Sequence, residues 1–182
     1  MYHNIFDSHA HYDDEQFNPD RNELLVSFKE NGISGVVCCG VNIETSEFAV
    51  ELSHKYDFVY SAVGFHPLDN DEYTDEVLER IKELAQDEKC VAIGEIGLDY
   101  HYEKESRENQ LILLEKQIKL ANEIDLPVIF HDRESHEDTL NILKKYKPRG
   151  VLHCFSGSVE MAKEIIKLGM YIGLGGAVTF KN

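Results

Sequence analysis

Short apolar runs rich in β-branched residues alternate with longer segments of helical spacing along the whole 182-residue chain. The runs predict strands at residues 5–9, 35–39, 58–64, 91–95, 127–131, 150–153 and 170–174. Between them, Val77, Leu78, Ile81, Leu84 and Ala85 fall on one helical face, and Leu111, Leu114, Ile118 and Ala121 on another. Gly32, Pro127, Gly150 and Gly169 stand at changeovers, where helix ends and loops need them. A recurring strand–helix unit means a parallel sheet, either open and doubly wound or closed into a barrel. The first strand runs into Asp7-Ser8-His9-Ala10-His11 rather than a glycine-rich phosphate turn, and Gly94-Glu95-Ile96-Gly97 is too short for a dinucleotide fingerprint. The expected fold class is therefore α/β, a TIM (β/α)8 barrel. A full barrel takes about 250 residues and at least roughly 200. The expectation is thus one hydrolase-type barrel domain over residues 1–182, C-terminally incomplete and truncated before strand eight.

Composition narrows the setting. The hydrophobic share of 42% suits one core, and the formal charge of −16 repels polyanions unless bound divalent cations reverse the sign in a cleft. Acidic residues such as Glu76, Glu79, Glu83, Asp87 and Glu88 read as a solvated helix face. Met1-Tyr2-His3-Asn4 begins no signal peptide, and no run reaches the roughly 18 apolar residues of a membrane helix. Cys38, Cys39, Cys90 and Cys154 form no C-x-x-C pair and read as buried, reduced thiols. A cytoplasmic protein without a membrane partner is expected.

Candidate chemistry collects at the strand ends. Strand one offers His9 and His11, strand three His66, strand four Glu95, strand five His131 and strand six His153. In a barrel these ends open onto one face, so ligands distant in sequence can converge on a metal. Residues two apart on a strand share a side, which lets His9 and His11 reach one ion and lets Asp7 orient a histidine. An H-x-H alone is unspecific, and each remaining histidine alone reads as a core or loop residue. Aligned, they point to a metal site. Glu95 ends an apolar strand, where a carboxylate is costly to bury without a cation; its alternative is a structural salt bridge, for instance to Arg133. Placed between histidine pairs, Glu95 suits a bridge between two ions. His66 could hydrogen-bond substrate or leaving group, and Arg133 could hold a phosphate oxygen. Asp99 and Tyr100 are weaker candidates for the mouth, while His54 falls in a predicted helix and His3, His101 and His136 have no aligned partner.

The stretches Phe6-Asp7-Ser8-His9-Ala10-His11, Val63-Gly64-Phe65-His66-Pro67, Gly94-Glu95-Ile96-Gly97-Leu98-Asp99-Tyr100, Phe130-His131-Asp132-Arg133 and Leu152-His153-Cys154-Phe155-Ser156-Gly157 span the chain in order. Together they resemble the TatD-type metal-dependent deoxyribonucleases of the amidohydrolase superfamily. The resemblance implies a TIM barrel with two divalent ions (zinc, magnesium or manganese) and hydrolysis of DNA phosphodiesters, often from a single-stranded or 3′ end. It also implies that His9 and His11 bind one metal, His131 and His153 the other, and that Glu95 bridges. The family's last-strand aspartate, in a Glu-Thr-Asp-like motif, has no match before Asn182. Two rival readings are an amidohydrolase acting on a lactone, amide or cyclic ureide, and an inactive metal-binding fragment. Against the first, many such enzymes bridge their metals with a carbamylated lysine where this chain has Glu95.

Overall fold

The computed structural model describes residues 3–72, 74–102 and 106–181. Seven parallel strands lie in sequence order: β1 (Ile5–Ala10), β2 (Ile33–Cys39), β3 (Val59–Val63), β4 (Cys90–Asp99), β5 (Val128–Arg133), β6 (Gly150–Leu152) and β7 (Tyr171–Ile172). They form a half-barrel in which β1 and β7 are the edges among the described residues. Helices α1 (Arg21–Ser27), α2 (Ile43–Lys55), α3 (Asp75–Leu84), α4 (Arg107–Glu123), α5 (His136–Tyr146) and α6 (Val159–Lys167) follow β1 to β6, with short 3-10 turns at Glu15–Phe17, Pro67–Glu72 and Gly176–Thr179.

Local chemistry starts these helices where the sequence suggests. Asn42 and Thr45 cap the backbone of α2 reciprocally, while the hydroxyls of Thr74, Ser106 and Ser158 accept from the third residue of α3, α4 and α6. Each such cap satisfies an amide that the helix cannot, contributing about 1 kcal/mol. The helices press onto the outer face of the sheet, where Ile81, Ile93, Ile96, Leu98, Leu114, Ile118, Phe130 and Leu143 are fully buried. Side chains of this size contribute about 1.5–3 kcal/mol each when fully buried. The opposite sheet face holds a smaller cluster of Val37, Cys39, Ala62, Ala92 and Ile129. The barrel is thus lined by small and β-branched residues below the strand ends.

Strands β1 and β4 depart from simple alternation near the site. Between Ile93 and Ile96, β4 carries one more residue than its partner segment Val128 to Phe130, and β1 likewise gains one between Asp7 and Ala10 opposite Val36 to Cys38. Such an extra residue re-aims side chains locally. The expected strand at 91–95 is correspondingly too short: β4 runs on to Asp99, paired residue by residue from Ile96↔Phe130 to Asp99↔Arg133. Gly97 allows this pairing, since a Cβ there would run into the His131 backbone. The other expected strands agree with the observed ones to within two residues at each end. No described helix is long and apolar enough to cross a membrane.

Candidate metal centre

Glu95 sits in the irregular part of β4 and is 3% exposed. Its two oxygens face two histidine pairs. Oε2 lies 2.9 Å from His9 Nε2 and 3.0 Å from His11 Nε2, and Oε1 lies 2.9 Å from His131 Nδ1 and 2.5 Å from His153 Nε2. Within each pair the ring nitrogens also converge, His9 Nε2 to His11 Nε2 at 3.1 Å and His131 Nδ1 to His153 Nε2 at 3.2 Å. Nitrogens this close cannot both carry a proton, and converging lone pairs beside a carboxylate are what a divalent cation collects. The donor set fits bound metal.

Electrostatics follow from that crowding. Burial pushes the Glu95 carboxyl up, but hydrogen bonds from His11, His131, His153 and His9 hold it well below the usual carboxylate range. Burial pulls His11 and His131 down, and the Glu95 hydrogen bond and charge outweigh it, leaving both raised. For His153 burial wins over Glu95, helped by neighbouring His9 and His131, and the ring is lowered.

The supporting groups fix ring orientation. Asp99, 1% exposed, places Oδ2 at 3.1 Å from His131 Nε2. With Nδ1 on the Glu95 side, Nε2 carries the proton, and Asp99 accepts it as the carboxylate partner common behind metal-binding histidines. Ligand-type atoms of His66, Asp99 and His131 also lie within 4.8 Å of one another, as do those of His9, Glu95 and His153. A metal on the former trio would need the His131 nitrogen that Asp99 already holds as a donor, so Asp99 serves the Glu95 cluster instead. On the other side, His11 Nδ1 donates to the Cys39 carbonyl at 3.0 Å.

Two buried glutamines on one face of α4 place the loop and strand that carry these groups. Gln117 binds both the N–H and C=O of Phe65 at 2.7 and 2.9 Å, and Gln110 does the same to Asp99 at 2.8 Å each. The Phe65 clamp sets His66, which lies in the loop after β3 rather than at its end. His66 Nε2 is 4.0 Å from Glu95 Oε1, and the Leu68 N–H donates to Nδ1 at 3.3 Å. The free proton is therefore on Nε2, facing the cluster. Burial, against the charge of Glu95, lowers His66 to about 4, so the ring is neutral at physiological pH.

The structure thus brings together His9, His11, Glu95, His131, His153 and His66. It does not bring Arg133 to Glu95: the exposed guanidinium lies 4.9 Å over the Tyr102 ring, and the alternative salt bridge does not form. Asp7 is also corrected. It accepts the backbone N–H of His9 at 3.1 Å instead of orienting a ring, because the extra residue in β1 breaks the assumed alternation. Away from the cluster, His54, His101 and His136 pair with Asp87, Glu134 and Asp132. Gln110, Gln117 and the full role of Asp99 escaped sequence reasoning. For Asp99 a signal existed, since Ile96 and Leu98 alternate with Glu95, Gly97 and Asp99.

Known proteins place the chain in a family. A family described as TatD related DNase matches residues 6–182. The chain is 43% identical over 181 residues to the uncharacterized metal-dependent hydrolase YabD of Bacillus subtilis, covering 98% of this chain and 71% of that protein. It is 34% identical over 177 residues to the 3′-5′ ssDNA/RNA exonuclease TatD of Cronobacter sakazakii, covering 96% of this chain and 67% of that protein. The crystal structure of YJJV, a TatD homolog from Escherichia coli, superposes with a TM-score of 0.91 at 34% identity, over 97% of this chain and 70% of that one. With both histidine pairs, Glu95 and His66 inside the matched span, the chain belongs to the TatD-related DNase family of metal-dependent hydrolases.

Proposed function

We propose that this protein hydrolyses phosphodiester bonds of single-stranded DNA from the 3′ end, using two divalent ions, magnesium, manganese or zinc. His9 and His11 with Glu95 Oε2 would hold one ion, and His131 and His153 with Glu95 Oε1 the other. The observation that carries the reading is the division of one buried carboxylate between two histidine pairs. The exonuclease name of the Cronobacter relative supports the substrate class. Such ions, when bound, lower the pKa of a water to near neutrality and neutralise phosphate charge.

The chain's own groups do the rest. Glu95 fixes the spacing of the two histidine pairs and supplies negative charge shared between them. Asp99 keeps the His131 proton on Nε2, leaving the unprotonated Nδ1 with its lone pair toward the cluster. His66, neutral with its proton on Nε2, donates a hydrogen bond to a phosphate or leaving-group oxygen. Arg133 binds a non-bridging phosphate oxygen. A cytoplasmic setting accords with this substrate class and with four free cysteines, of which Cys38, Cys39 and Cys90 are buried as expected and Cys154, in the turn after β6, is exposed. The test is cleavage of 5′-labelled single-stranded DNA after chelation and readdition of each metal. Stepwise shortening from the 3′ end that requires added metal is expected. Hydrolysis of a lactone with no loss of DNA length would overturn the reading.

A further inference from the structure

Beside the metal centre lies an aromatic surface that the hydrolytic roles above do not use. Tyr102 is 50% exposed, whereas Leu98 and Asp99 shortly before it are buried. It is nonetheless held in place from three sides. The Asp99 Oδ1 atom accepts the backbone N–H of His101 at 3.0 Å and that of Tyr102 at 3.4 Å. The Arg133 guanidinium lies 4.9 Å from the ring centroid, and the His101 ring meets it edge-on at 4.7 Å.

Asp99 therefore joins two functions in one carboxylate. One oxygen holds His131 and the other holds the turn that presents Tyr102. One buried side chain thus ties the turn that carries the ring to the metal centre. Arg133 repeats the link from the neighbouring strand. It stands two residues after His131 on the same face of β5, about 6–7 Å along the strand, and opposite Asp99 in the ladder.

Arg133 differs from the other arginines of the chain. Arg21 is spent on loop carbonyls and Asn18, Arg80 on Glu47 and Glu83, Arg107 on Asp138, and Arg149 on Asp125. Arg133 has no carboxylate or carbonyl partner among the described residues, although the chain carries a net charge of −16. A cation with no counter-ion among the described residues, laid on an exposed aromatic ring at the rim of a metal centre, suits a ligand with an anionic group and a flat apolar group side by side. A nucleotide has that chemistry.

We propose that Tyr102 is a stacking platform for the base of the nucleotide whose phosphate Arg133 holds, so that the site grips the strand end by base and phosphate together. The inference rests on the nucleic-acid reading above and adds to it the residue that binds the base. Stacking on a tyrosine tolerates every base, because each has a π-face. The platform thus favours a splayed single strand over a paired end without reading sequence.

The experiment measures binding of an oligonucleotide carrying 2-aminopurine at its 3′ terminus, whose fluorescence is quenched on stacking, beside one with an abasic 3′ terminus. Tyr102→Ala should weaken binding of the base-bearing strand about five- to a hundredfold, abolish the quenching and leave the abasic strand unchanged. Tyr102→Phe should keep both affinity and quenching. Equal affinities of the wild-type protein and the alanine variant for the 2-aminopurine strand would overturn the platform while leaving the nuclease reading intact. So would equal losses on both strands, or a phenylalanine variant that behaves as alanine. If the wild-type protein neither binds nor cleaves either strand, both the platform and the nuclease reading fall.

Discussion

The rings of His9 on β1 and His153 just after β6 stack face to face, with centroids 3.9 Å apart and planes inclined by 18°. Five strand-to-strand steps separate β1 from β6, which in a flat sheet would place them about 24 Å apart. Curvature of the half-barrel closes that gap. Both rings then reach opposite oxygens of one carboxylate, Glu95, from the middle of the sheet. The metal centre is a product of barrel curvature, and any change that flattens the sheet would pull its two histidine pairs apart.

On the two-ion reading proposed above, replacing Glu95 with Gln is expected to abolish tight binding of both ions together. The amide removes the shared negative charge and turns one acceptor into a donor aimed at imidazoles. Partners behind a metal ligand already cost 10–100-fold when lost, so loss of the ligand itself should cost more than about 100-fold in turnover. Calorimetric titration with manganese checks the first point, and oligonucleotide cleavage the second. A variant that keeps one wild-type-like site would show that the pairs act separately.

Asp99→Asn tests the group behind His131. Its side chain can no longer enforce the proton on Nε2, so metal affinity or turnover should fall about 10–100-fold with the fold retained. Circular dichroism would verify folding while metal titration reads the loss. On the proposed two-ion reading, the affinity loss should fall on one ion, the one that His131 and His153 would hold.

The metal-free protein is expected to be most stable near pH 6.5, the ordinary histidine value. Folded His66 and His153 titrate below it, and folded His11 and His131 above it. Below 6.5 the unfolded chain binds protons that folded His66 and His153 refuse, so stability falls as the pH drops. Above 6.5 folded His11 and His131 keep protons that the unfolded chain releases, so stability also falls as the pH climbs through their folded values. Glu95, depressed well below the usual range, adds its loss only in stronger acid. Metal needs unprotonated imidazoles, so bound ions should remove the alkaline limb and move the optimum upward. Urea midpoints from about pH 5 to 8.5, with chelator and with manganese, measure this. A metal-free midpoint that keeps rising past pH 7 would contradict it.

Arg133→Ala should raise KM for DNA more than it lowers kcat, by about ten- to a hundredfold, the range of a charge-assisted hydrogen bond. The salt dependence of binding should shrink by about one counter-ion. Arg133→Lys should restore charge but only part of the affinity, because a lysine cannot reproduce the planar fork laid on Tyr102. Steady-state kinetics at several salt concentrations separate these effects.

The strand–helix alternation, the parallel sheet and the strand-end positions of His9, His11, Glu95, His131 and His153 were legible in the sequence, because each depends on local pattern. Val128-Ile129-Phe130 reads as a buried strand wherever it sits, and a histidine at its end lies on the face that every barrel opens. Legibility failed where the backbone leaves its regular period. Extra residues in β1 and β4 shift alternation, so Asp7 turned to its own backbone and β4 ran past Glu95 to Asp99. It failed again for partners chosen across the fold. Nothing local tells Gln110 and Gln117 from surface residues, yet both are 1% exposed and clamp Asp99 and Phe65. Which histidines meet which oxygen of Glu95, and that Arg133 lies on Tyr102 instead of pairing with that carboxylate, were decided only by the tertiary structure. Periodicity specifies which face a residue takes; the curvature of the sheet and the packing of α4 on it set the distances on which the chemistry depends.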